Sequence, residues 1–202
     1  MLGMWVFLLT EVLFFGGLFM AYILYRGWYT EAFHEASRHL SVGWGFFNTL
    51  VLIASSLTMA LAVRAGQTTN RRGQLLFLTL TIVLGTAFLG VKVIEYADKF
   101  THHLVPGAHF AFTPSALAPG AELFFSLYFA MTGLHALHMI IGAGIMLVML
   151  YMAWRGRFST EWYTPLEISG LYWHFVDIVW IFLFPLLYLI GGLSVFGGGA
   201  GH

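Results

Sequence analysis

Five long stretches of nearly unbroken apolar sequence decide what this chain can fold into. Each reaches the roughly 20 residues that a helix needs to cross the hydrocarbon core of a bilayer. Backbone N–H and C=O groups find no water there, so a spanning segment of this kind must satisfy them within its own helix. The stretches cover residues 4–25, 42–63, 75–97, 122–154 and 168–191. The fourth is longer than a bilayer requires, so it must tilt or project into water. Charge agrees with hydropathy: only 9% of residues are charged, against about a quarter in a soluble domain. The expected fold is an all-α integral membrane protein, a bundle of five transmembrane helices forming one membrane domain over residues 1–202.

The opening residues invite a different reading, as a signal peptide. They lack a basic start, carry Glu11 in their middle and are as long as a full span, so they read as a membrane helix. Between the spans, residues 26–41 form a polar loop rich in His and Glu, and residues 64–73 a short basic turn. Residues 98–120 hold His102, His103, His109, Pro106, Pro114 and Pro119 and read as irregular loop. Residues 192–202 are Gly-rich and read as a flexible tail. Arg64, Arg71, Arg72, Arg155 and Arg157 fall on one side of the membrane, and Arg26, Arg38 and Lys99 on the other. The excess of Arg places the N-terminus in the cytoplasm and the C-terminus outside.

Some functions are excluded early. Net charge is zero, which gives nucleic acid no basic face. There are no cysteines, which removes disulfides, iron–sulfur clusters and thiolate-bridged copper. No repeat or matched pair of broken helices points to a secondary transporter. Gly16, Gly17, Gly85, Gly90, Gly142 and Gly144 lie within spans and let helices approach closely, as in any bundle.

Charge held inside hydrocarbon is costly, so it carries the most information. Glu11 sits mid-span in TEVLFFGG. Lys92 and Glu95 lie in VKVIEY, His135 and His138 in TGLHALH, and His174 and Asp177 in YWHFVDIVW. Each of these pairs is three residues apart, hence on one helix face. Lys92 can neutralise Glu95, and His174 can neutralise Asp177. Glu11 has no partner on its own helix and must find one elsewhere, with His135, His138 and His174 as candidates. Glu122 and Glu167 fall near helix starts, where the helix dipole favours a carboxylate. Such clusters serve either as glue that fixes helix register or as proton-handling groups, since a desolvated carboxyl can titrate near neutral pH. A His pair at this spacing offers two metal ligands only, and neither HALH nor WHFVD supplies the Glu-x-x-His sets of a di-iron bundle. The loop histidines His102, His103 and His109 offer at most a site for stray zinc, and no functional metal and no cofactor is expected on this chain.

These buried residues also carry a resemblance. GMWVFLLTEVLFFGGLFMAY, FFNTLVLIASSLTM, VIEY, TGLHALHMIIG and YWHFVDIVWIFLF resemble, in order, the core helices of cytochrome c oxidase subunit III of the haem–copper oxidases. The resemblance implies a non-catalytic subunit of a proton-pumping terminal oxidase that reduces oxygen to water. It implies no redox centre on this chain, with haem and copper on partner subunits. Subunit I is the implied direct partner, with subunit II, other subunits and membrane phospholipids nearby. The expected location is a bacterial inner (plasma) membrane. Glu11 falls where the family has its carbodiimide-reactive glutamate, and Glu95, His135, His138, Glu167, Trp173, His174, Asp177 and Trp180 fall on its motif positions. Trp173 and Trp180 are candidates for packing or for the lipid interface. The longer form of the family has seven helices, of which this sequence matches the last five, so the lipid-filled cleft of that form is expected to be open or walled by another subunit. The alternatives are a related subunit of a quinol oxidase or nitric oxide reductase, a self-standing proton-coupled transporter, and a purely structural scaffold.

Overall fold

A computed structural model describes residues 2–107, 110, 112–159 and 162–189. Helix α1 spans Leu2–Trp28, α2 Thr30–Arg38, α3 Val42–Gln67, α4 Arg71–Thr101, α5 Ala118–Trp154 and α6 Thr164–Phe184. All but α2 are long and apolar enough to cross a membrane, giving five spans. A single 3₁₀ turn, Ser115–Leu117, leads into α5, and a wider π turn, Pro185–Leu189, extends α6. Pro185 explains that widening: it cannot donate to the carbonyl one turn back, and its ring would clash there.

The helices run past the limits that hydropathy sets. The stretch 64–73, expected as a turn, is mostly helix: α3 continues to Gln67 and α4 starts at Arg71. Asn70 makes this possible, because its side chain accepts from the Gly73 N–H at 3.1 Å and caps the new helix. Gln74 then donates to the Ala65 carbonyl at 3.2 Å, clamping the two helices at their junction. The loop expected from residue 98 likewise begins only after Thr101, and α5 starts at Ala118 with Pro119 in its first turn, where a missing N–H costs nothing. Glu122 is therefore not at a helix start; it accepts from the Gly107 N–H at 3.1 Å.

The polar loop of residues 26–41 contains a helix that hydropathy did not reveal. In α2, Ala32, Phe33, Ala36 and Ser37 are buried on one face, an amphipathic pattern, and that face lies on the start of α5. His109, residues 190–191 at the end of the last expected span, and the tail 192–202 lie outside the described residues.

Burial divides the bundle unevenly. In the most apolar window of α6, 56% of residues are buried inside the chain, against 11% in α1. Helix α6 is thus the axis, packed by α3 and α5, while α3 and α4 form the closest pair. Helix α1 lies at the edge and touches α5 and α6 lightly. Trp173 of α6 fills a slot between α4 and α5. A Cβ at Gly85 would lie 2.8 Å from its ring, and one at Gly142 3.0 Å away. Gly16, Gly17, Gly90 and Gly144 meet nothing within 4 Å and play no such part.

Candidate functional site: three polar clusters in the spans

The first cluster is closed. Lys92 and Glu95, three residues apart on α4, pair at 2.7 Å. The wide turn after Pro185 carries Tyr188 into the same place. Lys92 Nζ donates to the Tyr188 hydroxyl at 2.5 Å, and that hydroxyl donates to Glu95 Oε1 at 2.5 Å. Three aromatic rings surround the ammonium: Trp180 at 4.5 Å, Tyr188 at 5.1 Å and Tyr128 at 5.6 Å from ring centre. A desolvated cation over such faces is stabilised by their quadrupoles. Lys92 is 4% exposed and Glu95 7%. Glu95 borders one small cavity of about 280 Å³, shared with Ser41, Trp44, Asp98 and Lys99.

The second cluster sits at the edge of the bundle. Glu11 of α1 meets His138 of α5, Oε2 to Nε2, at 3.2 Å. Of the three histidines considered for Glu11, the geometry selects this one. His138 Nδ1 lies 2.9 Å from the Leu134 carbonyl. A carbonyl only accepts, so Nδ1 carries hydrogen and Nε2 faces the carboxyl. The contact then needs one further proton, resting either on the carboxyl or on Nε2. The pair carries no net charge in either case. Tyr172 braces it by donating to the His138 carbonyl at 3.0 Å. A furrow of about 470 Å³, walled by Met4, Phe7, Ile145 and Ile168, leads to His138 from the end of the bundle where α1 and α6 begin. His135 shares the spacing but not the environment. It is 1% exposed and packs between Phe88 and Trp180 at 5.4 and 5.2 Å, with neither ring nitrogen hydrogen-bonded.

The third cluster joins α3 to α6. Trp173 donates to Ser55 Oγ at 2.9 Å and Trp180 to Thr49 Oγ1 at 3.1 Å. Both indoles are fully buried, in keeping with packing rather than the lipid interface among the two roles considered for them; each is set inward by a hydroxyl on α3. His174 and Asp177 do not pair, contrary to expectation. His174 Nδ1 instead bonds the Ser56 hydroxyl at 2.7 Å. Asp177 is 3% exposed, and neither of its oxygens has a hydrogen bond. Glu167 lies in the first turn of α6, as the dipole argument requires, beside Arg64 and Gln67.

Sequence reasoning missed Tyr188, Thr49, Ser55, Ser56 and Tyr172. A signal existed for part of this: Trp173 and Trp180 are seven residues apart, two turns on one face, and Thr49 and Ser55 lie six apart on α3. Among the described residues, no three His, Asp or Glu side chains come together to hold a metal ion.

A chain of this build is a polytopic helical membrane protein that keeps proton-bearing side chains at hydrocarbon depth. The chain belongs to the cytochrome c oxidase subunit III family, whose family model matches residues 1–192. It is 32% identical to cytochrome c oxidase subunit 3 of Alkalihalophilus pseudofirmus, over 94% of this chain and 86% of that one. It is 34% identical to the subunit of the same name from Thermostichus vulcanus, over the same shares. Cytochrome bo(3) ubiquinol oxidase subunit 3 of Pseudomonas aeruginosa is 28% identical over 95% of this chain and 85% of the relative. The role is that of a haem–copper oxidase subunit III, one part of a multi-subunit membrane complex.

Proposed function

We propose that this chain is a core subunit without a redox centre of its own. It sits in a bacterial plasma membrane with its N-terminus in the cytoplasm and its C-terminus outside. It packs on the haem- and copper-bearing subunit I, holds phospholipid, and supports proton uptake and endurance through turnover. The orientation is supported by the arginines of the α3–α4 and α5–α6 connections, which gather at one end; Arg71 donates to the Trp154 carbonyl there.

The observation that carries the reading is the Glu11–His138 pair. It holds an acid and a base in contact at mid-span on the least enclosed helix, and the furrow that ends on His138 is walled by Met4 and Ile168, near the starts of α1 and α6. A proton source beside a partner is useful at this position, whereas glue is not needed on a helix that packs so lightly. Glu11→Gln in the purified oxidase is expected to slow the proton-uptake phase by about threefold or to shorten the number of turnovers before inactivation by a similar factor, well below the roughly 10²-fold or more contributed by a general acid or base at a reacting group. Unchanged uptake and lifetime would support a scaffold.

A second reading, with quinol as electron donor, is favoured by the similarity to the ubiquinol oxidase subunit of P. aeruginosa. The spectrum of the purified complex discriminates the two: a mixed-valence copper signal accompanies cytochrome c as donor.

A further inference from the structure

The Lys92–Glu95–Tyr188 knot is not equally covered on all sides. Rings of α5 and α6 lie over Lys92, but Glu95 borders the cavity of about 280 Å³ between the start of α3 and the end of α4. A water takes up about 30 Å³ in the liquid, so the cavity has room for several. Trp44, Val91 and Ile94 wall it along the spans, and Ser41, Asp98 and Lys99 rim it where α4 ends.

Ser41 belongs to the connection between α2 and α3. The N–H groups of His39 and Leu40 in that connection bond back to α2, at 3.2 and 3.0 Å. The Lys99 ammonium ties it to α4 by donating to the His39 carbonyl at 2.8 Å. Lys99 also donates to Asp98 at 2.8 Å. That second contact does not explain where the lysine sits. Asp98 is 51% exposed, and a lysine stem can carry its ammonium out to such a partner. A cation that served only the dipole at the end of α4 could equally stay in water. Lys99 is nevertheless 4% exposed. Its stem turns inward, and the carbonyl of the connection is what it reaches there. Helix α2, at the other end of that connection, lies on the start of α5 and on the turn that carries Tyr188.

We propose that Lys99 is a positioning residue for the knot: it holds the α2–α3 connection against α4 and so keeps surface water out of the cavity beside Glu95. Water admitted there would compete for the Glu95 oxygens. It would also weaken their attraction to Lys92, because that attraction falls as the local dielectric rises. The connection acts as a stopper on the side of the knot that the rings leave uncovered.

The test is hydroxyl-radical labelling of the assembled complex, which oxidises side chains that water reaches. It is read at Tyr188, with Trp173 as control, since both are fully buried. Lys99→Met keeps the apolar stem and removes the donor, and is expected to raise labelling of Tyr188 at least about threefold with Trp173 unchanged. Lys99→Arg, which still donates to the carbonyl, is expected to restore most of the protection. Asp98→Asn leaves the carbonyl contact in place and is expected to stay within about twofold of wild type. Unchanged Tyr188 in Lys99→Met overturns the proposal. So does a joint rise of Tyr188 and Trp173, which would mean general loosening. Labelling in Lys99→Arg as strong as in Lys99→Met, or a rise of that size in Asp98→Asn, overturns it as well.

Discussion

The Lys92–Glu95–Tyr188 knot and the Glu11–His138 pair are both acid–base contacts in hydrocarbon, yet they are built to opposite specifications. The knot is enclosed by α4, α5 and α6, every charged atom has a partner, and three rings surround the cation. Its charges have few ways to move. The pair has one contact, one shared proton and side chains 18% and 11% exposed. The lesson is that burial alone does not mark a functional group. Partner number does: a saturated network fixes helices in register, whereas a two-member contact with one proton can change state without dismantling the fold.

That contrast can be broken at several points. The largest effect is expected from Lys92→Met, which leaves Glu95 buried without its cation and costs about 3–5 kcal/mol. The double variant Lys92→Met/Glu95→Leu is expected to recover most of that loss, read as the thermal midpoint of the purified complex. A single variant as mild as the double would show the knot to be dispensable. Glu11→Ala is expected to cost less, about 1–3 kcal/mol, and to be non-additive with His138→Ala by about 0.5–3 kcal/mol. Strict additivity in that cycle would mean that the two side chains do not share a proton.

Packing sharpens the same comparison. Gly85→Ala forces a Cβ to 2.8 Å from Trp173 and is expected to destabilise by about 1–3 kcal/mol. Gly16→Ala, in open space on the edge helix, is expected to change stability little or raise it by about 0.4–1 kcal/mol. Equal losses would remove the distinction between axis and edge. The smallest effect belongs outside the membrane. Partial burial and the nearby Lys99 ammonium hold the His39 imidazole below its ordinary value of 6.5. The unfolded segment therefore binds more protons than the folded one as pH falls through that value, and stability declines on acidification. Lys99 donates to the His39 carbonyl at 2.8 Å and holds this segment closed, and its ammonium repels the imidazolium that forms on acidification. Proteolysis there is expected to rise by less than about threefold between pH 7.5 and 5.5, and no change would show that His39 is not coupled to folding.

The spans were legible because hydrocarbon leaves the backbone few alternatives, and Lys92–Glu95 was legible because a helix places residues three apart together. The partner of Glu11 was only narrowed to three histidines, since helix spacing says nothing about which neighbouring helix arrives. Tyr188 was hidden for a different reason. Its role depends on a widened turn after Pro185 and on a lysine 96 residues earlier, and in sequence it is one more aromatic near the end of an apolar run. His174 and Asp177 were paired by their spacing, but a serine on another helix offered His174 a better geometry. Helix α2 was overlooked because its charges outweigh its buried face in a hydropathy average.

The central claim is that proton handling belongs to the edge pair and register to the enclosed knot. Time-resolved proton uptake by the assembled oxidase tests it most directly, comparing Glu11→Gln with Lys92→Met/Glu95→Leu in preparations matched for haem content. The claim requires slowed uptake in the first and wild-type uptake in the second. Slowed uptake only in the variant lacking the knot, or none in either, would contradict it.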